Sequence, residues 1–248
     1  MSTSESIAAA AETTHAPSAA PAQAPAAAPT QSGFRLTAPH AGPIAMQVTK
    51  RSGAKEPVDL NKIVRAVTRC CEGLADVEPM RVALKTIAGL YDGAGTRELD
   101  ELSIRTAASF IAEEPEYSKV AARLLAGYID KEVHGLGVYS FSQSIRVGFD
   151  AGLINERVLA FVEANARKLN DAIDPAHTRR FEYFGLRTLY DRYLLKHPQK
   201  RHVIETPQHF WMRIACALSE SAGESSRKQL DNCSWRVPAL NSVGELGT

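Results

Sequence analysis

Long apolar runs, paired cysteines and an excess of charge of either sign are all scarce in this sequence. No stretch approaches the roughly 20 uninterrupted apolar residues of a membrane-spanning helix, so no membrane association is expected. The 29 Lys+Arg against 28 Asp+Glu leave a formal charge of +1. A binder of nucleic-acid backbones draws its affinity from a basic surface, so direct DNA binding is not expected, although a local basic pocket can sit inside a neutral total. The four cysteines, Cys70, Cys71, Cys216 and Cys233, make no CxxC pair. That argues against a zinc ribbon and a disulfide framework, and it fits a reducing cytoplasm and a chain that binds no metal of its own. Residues 1–33 lack Lys and Arg altogether, 12 of the first 30 residues are Ala, and Pro17, Pro21, Pro25 and Pro29 interrupt any helix. Residues 1–45 are therefore expected to be a disordered leader, without the basic start of a secretory signal or the arginines of a mitochondrial presequence.

What is present is mostly helical in pattern. Met46 to Arg51 alternates like a strand, Ser52-Gly53 supplies a turn, and Glu56 to Asp59 can pair back as a short hairpin. Asp59 is a candidate N-cap for a first helix carrying Ile63, Val64, Val67, Cys70, Cys71 and Leu74. A second helix is expected over 78–90 with Val82, Leu84, Ile87 and Leu90 as its core side, ended by Asp92-Gly93. A third opens at Thr96, with the Thr96 hydroxyl as cap and Glu98 in the first turn, and a fourth follows Pro115 and stops before Gly135. Beyond a link at 135–143, helices are expected over 155–173, 184–195 and 209–218, the last announced by Thr206-Pro207. After Ser219 the apolar period stops.

The segment from Val48 to Ile63 is a basic strand-turn-strand that runs directly into a helix. Lys50 and Arg51 on the hairpin and Lys62 in the first helical turn would converge near unpaired backbone N–H groups, a constellation that suits a polyphosphate. The same residues also read as ordinary solvated edge charge that guards a hairpin against strand pairing.

Further residues in order carry a resemblance. Val48-Thr-Lys-Arg-Ser-Gly53 with Glu56, Asp59, Lys62 and Ile63, then Tyr91-Asp-Gly93 with Thr96, then Ala121-Ala-Arg-Leu124 and Lys131, resemble the ATP-cone domain of the class I ribonucleoside-diphosphate reductase large (alpha) subunit. Tyr183-Phe-Gly-Leu-Arg-Thr-Leu-Tyr190, Tyr193-Leu194 and Glu205-Thr-Pro-Gln208 are similar to the helical lead-in to that family's catalytic barrel. The resemblance implies a mainly α chain in four parts: the leader to 45, an ATP cone at 46–135, a helical segment at 140–219 and an unassigned tail at 220–248. The cone is a small β-hairpin capping a four-helix bundle, and the helical segment is an incomplete lead-in to an α/β ten-stranded barrel.

By the same resemblance the cone takes ATP and dATP as allosteric effectors, accompanied by Mg2+, with ATP supporting activity and dATP inhibiting it. Lys50, Arg51, Lys62 and Lys131 match positions at the phosphates, Glu56 and Thr96 match positions nearer the base or sugar, and Val48 matches an apolar wall. Asp100 stands where some relatives carry His. For Arg123 and Tyr128, helix packing and an ion pair compete with ligand contact. The implied partners are the small (beta) subunit and a second alpha subunit, and the implied chemistry is reduction of ribonucleotides by a dithiol for DNA synthesis. Cys70, Cys71 and Cys216 fall on apolar helix faces, and Cys233 matches no catalytic element, so no catalytic residue is assigned and the chain alone is expected to be inactive. Two other readings are a dATP-sensing, cone-type transcriptional repressor, whose zinc ribbon has no counterpart ahead of residue 46, and a non-catalytic helical interaction module.

Overall fold

The computed structural model describes residues 46–221, with side chains to 218. The leader, Cys233 and the tail from 222 onward lie outside the described residues. No helix among the described residues is long and apolar enough to cross a membrane.

Strands β1 (Gln47–Thr49) and β2 (Lys55–Pro57) form the antiparallel hairpin, with Val48 opposite Glu56. Gly53 permits its tight turn by taking φ +85°. The hairpin is tied to the Asp92-Gly93 turn: Gln47 N–H donates to the Asp92 carboxylate at 2.7 Å, and Gly93 N–H donates to the Gln47 carbonyl at 2.8 Å. Helix α1 (Leu60–Cys71) starts where Asp59 accepts from the Asn61 N–H at 3.0 Å, and it buries Ile63, Val67 and Cys71.

Helix α2 (Pro79–Ala88) buries Val82, Ala83 and Thr86, whereas Leu84, expected in the core, is 58% exposed. Val82, Ala83 and Thr86 share one side at i, i+1 and i+4, and Leu84 lies off that stripe. Helix α3 (Thr96–Ala108) is capped by Gly95 and not by the Thr96 hydroxyl: the Glu98 carboxylate reaches back to accept the Gly95 N–H at 3.2 Å. Helix α4 (Tyr117–His134) closes this first region, whose core holds Val67, Val82, Ala107, Phe110, Tyr117 and Val120.

Helix α5 (Phe141–Asp150) occupies part of the span read as a link and stretch without an element. Its buried positions Phe141, Ser144, Ile145 and Gly148 have helical spacing, but two are small and polar or bare, which hides the period. Gly148 is small for a reason: a Cβ there would lie 2.7 Å from the Ile154 side chain. The single helix expected over 155–173 is two, α6 (Glu156–Ala164) and α7 (Ala166–Asp171). They break at Asn165, which leaves helical geometry at φ −121° and donates from its side chain to the Phe161 carbonyl at 2.9 Å. A 3-10 turn (Pro175–Arg180) leads to α8 (Tyr183–Arg192) and then α9 (Pro207–Ser221).

The helices after α4 build two further cores. Phe141, Ile145, Leu159 and Leu169 pack with Met212 and Cys216 of α9. The other joins Leu125, Ile129 and Val133 of α4 to Leu186 and Leu189 of α8. Helix α4 thus gives Tyr117 and Val120 to the first region and Leu125, Ile129 and Val133 to the second. At the start of α9 the buried Glu205 is paired in bidentate fashion with Arg213, both contacts at 2.9 Å, and accepts the Leu195 N–H at 2.8 Å.

Candidate effector cleft

A cleft of about 1270 Å³ opens between the hairpin turn, α1, α3 and α4 and runs on to Ser140 and His209. It exceeds the roughly 300–1,000 Å³ of an ordinary small-molecule site. Arg51, Lys62, Arg69, Arg123, Lys131 and Arg179 line it against three carboxylates, Glu72, Asp100 and Asp130, so its wall is basic although the chain is nearly neutral. Ile63, Val67, Leu99 and Leu124 supply apolar surface.

The hairpin and the three helices place the cations. Arg51, in the turn after β1, reaches Asp100 on α3 at 3.4 Å, and its guanidinium lies over the Tyr128 ring, 5.4 Å from the centroid. Lys131, near the end of α4, meets the other Asp100 oxygen at 2.7 Å. Asp100 is therefore shared between cations from two distant parts of the chain. Thr96, in the first turn of α3, and Lys62, in the first turn of α1, also line the cleft.

Of the residues singled out in the sequence, Arg51, Lys62, Thr96 and Lys131 are brought to this one cavity. Val48, Lys50 and Glu56 are not among its lining residues. Val48 is 5% exposed within the hairpin. Lys50 and Glu56 pair with each other at 2.6 Å, and Lys62 stands 3.9 Å from the second Glu56 oxygen. The Lys50 hydrogen bond, helped by the charge of Lys62, holds the Glu56 carboxyl below its usual range. Arg123 lines the cleft and also donates to the carbonyls of Cys70 at 2.9 Å and Glu72 at 2.7 Å, at the C-terminus of α1. Tyr128 is buried and turns its hydroxyl away to Glu132 at 3.3 Å.

Burial raises both Cys70 and Cys71, with the Cys71 thiol pushed up to about 11, so neither is a thiolate at neutral pH. Among the described residues, no group of three or more His, Cys, Asp or Glu is placed to hold a metal ion.

Glu132 went unnoticed in the sequence. It is a carboxylate with a 2% exposed side chain, bound by Arg97, Tyr128 and Tyr190. The signal was available, because a charged residue between Ile129 and Val133 on the apolar stripe of α4 has to find partners inside.

Residues 46–132 match the ATP cone domain family, and residues 179–237 match the family described as the all-alpha domain of ribonucleotide reductase. The chain is similar to the ribonucleoside-diphosphate reductase large chain of Cryptosporidium parvum, 36% identical over 180 residues, which is 70% of this chain and 22% of that protein. It is equally similar, at 36% over 182 residues, to the large subunit from Caenorhabditis elegans, covering 69% of this chain and 22% of the relative. The large subunit from Arabidopsis thaliana is 34% identical over 216 residues, 82% of this chain and 26% of its own length. The chain spans about a quarter of the length of these relatives.

Proposed function

We propose, from the premise that the chain belongs to the ATP cone family through residues 46–132 and to the ribonucleotide reductase all-alpha family through residues 179–237, that the cleft is an allosteric site for adenine nucleotides. The observation that carries this reading is the convergence of Arg51, Lys62 and Lys131, from three separate elements, on one partly apolar cavity. Arg51 and Lys131 take the phosphates, exchanging Asp100 for them, and Lys62 adds charge in the first turn of α1. Lys50 joins them when it leaves Glu56, Thr96 and Glu56 stand nearer the sugar and base, and Val48 backs the hairpin. Mg2+ arrives with the polyphosphate and needs no protein cage.

ATP supports and dATP restrains the activity of a whole reductase, which makes deoxyribonucleotides together with a small subunit and a second large subunit in the cytoplasm. Because the two effectors differ by one hydroxyl, they switch activity only by favouring different conformations. The 248-residue chain is expected not to reduce nucleotides by itself: among the described residues, Cys70 and Cys71 are helix residues whose thiols burial keeps protonated, and Cys216 is buried in α9. Mixing the chain with a small subunit is expected to form no deoxynucleotide, and formation of any would overturn that statement.

Isothermal titration with ATP and dATP tests the site. Arg51→Ala and Lys131→Ala each remove a charge-assisted contact of about 1.5–3 kcal/mol, so each weakens binding by about tenfold to a hundredfold. Absence of heat and of thermal stabilisation with both nucleotides overturns the reading.

A further inference from the structure

Lys131 faces the cleft, while the next residue, Glu132, points into the protein and is nearly inaccessible, with a 2% exposed side chain. Arg97 of α3 donates to Glu132 Oε1 at 2.6 Å, Tyr128 donates to the same oxygen at 3.3 Å, and Tyr190 of α8 donates to Oε2 at 3.1 Å. The Arg97 guanidinium also reaches Nδ1 of His202, between α8 and α9, at 2.6 Å, leaving that nitrogen 3.4 Å from Glu132. The Tyr128 and Tyr190 rings meet edge to face with centroids 6.0 Å apart. On the cleft side, Arg51 covers the Tyr128 ring.

A purely structural seam between α4 and α8 has no need of this carboxylate, since Ile129 and Val133 on either side already pack there. Burying a carboxylate costs several kcal/mol unless its oxygens are satisfied, so the arrangement is stable only while the donors from α3, α4 and α8 keep their relative positions. It therefore responds to small displacements in a way an apolar contact does not.

We infer that Glu132 is a positioning residue that couples occupancy of the cleft to the placement of α8 and the segment between α8 and α9. The inference rests on the cleft being a nucleotide site. Arg51 has two alternative partners: Asp100 with the Tyr128 face, or a polyphosphate. When the polyphosphate draws Arg51 and Lys131 away, Tyr128 and α3 lose their present restraints. The change passes through Glu132 to Tyr190 directly and to His202 by way of Arg97. Such coupling requires different contacts in the two states, and the exchange of partners by Arg51 provides them.

Hydrogen exchange of the 248-residue chain with and without magnesium ATP, read beside titration calorimetry on the same samples, tests this. In the wild type, ATP is expected to change exchange both around 47–62 and 96–104 and in peptides covering 186–204. Tyr190→Phe removes one hydroxyl and keeps the ring, and Glu132→Gln keeps the shape and removes the charge. Both variants are expected to retain binding heat and the response at 47–62 while losing the response at 186–204. If Glu132→Gln fails to fold, Tyr190→Phe carries the test. An unchanged response at 186–204 in Tyr190→Phe, or no response there in a wild type that binds ATP, overturns the coupling and leaves the effector site standing. No binding heat in the wild type removes both.

Discussion

From Gln47 to His134 the core is assembled largely from helices that are neighbours in the chain, with α1 against α2, α2 against α3 and α3 against α4. From Phe141 onward, α5, α6 and α7 close over Leu169 only with Met212 and Cys216 of α9 across them, and Ser144 donates to the distant Ile204 carbonyl at 2.9 Å. The first region therefore gains its contacts through short loops, while the second has to bring in a late helix before its core exists. The cone is the part expected to persist when the rest is disturbed, with one qualification: α4 belongs to both regions.

Substitution in the two cores sharpens that contrast with the largest effect. Leu125 on α4 and Leu169 on α7 are both fully buried, so Leu→Ala at either should cost about 2–5 kcal/mol in urea unfolding. Leu169→Ala is expected to release the region from 141 onward ahead of the cone, visible as two transitions or as early exchange confined to α5–α9. Leu125→Ala should lower both together. Matching profiles for the two variants would dissolve the distinction between the regions.

Acid should separate them next. Burial, with His134 adding to it, pushes His209 down to about 4 from an ordinary 6.5. Below 6.5 the unfolded chain takes up a proton that the folded chain refuses, so this stability is present in full above 6.5 and lost as pH falls toward 4, by about 3 kcal/mol in total. His202 shifts in the same direction, through burial and the neighbouring Arg97 charge. The stretch from 46 to 133 contains no histidine. A pH series of thermal melts followed by exchange should thus find α9 loosening first, and His209→Gln should flatten the profile. An unaltered profile in that variant would assign the acid sensitivity to another group.

The smallest effect compares the helix caps. Asp59 accepts from the Asn61 N–H at the start of α1, and Asn155 accepts from the Val158 N–H at 2.8 Å at the start of α6. Asp59→Ala and Asn155→Ala should each cost about 1 kcal/mol in chemical denaturation. Equal losses would mean that capping is local and indifferent to the way each region closes.

The same contrast explains what the sequence revealed. The hairpin and the helices of the cone were legible because Gly53, Asp59 and Asp92-Gly93 mark their boundaries with local chemistry, and because stripes such as Ile63, Val67 and Cys71 are apolar. Helix α5 was not legible because its buried face includes Ser144 and Gly148, which serve a hydrogen bond to Ile204 and a close approach to Ile154. Both partners lie outside the helix itself, one of them 60 residues along the chain. In the cleft, Arg51 and Lys62 could be read from the hairpin-to-helix pattern together with Lys50, which does not line it, and Lys131 only through the family resemblance. The sharing of Asp100 by Arg51 and Lys131 and the interior role of Glu132 depend on which way neighbouring side chains turn on α3 and α4, and periodicity alone does not assign that at a helix packed on two sides; the pairing of Lys50 with Glu56 depends on side-chain directions across the hairpin.

Helix α4 has a consequence for where the first region ends. A region that stands alone needs a finished surface, and α4 leaves one side of this region unfinished. Excised after Gly135, it would present Leu125, Ile129 and Val133 along one side, together with the Glu132 carboxylate stripped of Tyr190. A chain cut there would therefore leave an apolar stripe and a carboxylate without its hydroxyl partner open to water, so the boundary drawn by the fold does not coincide with a boundary in the packing.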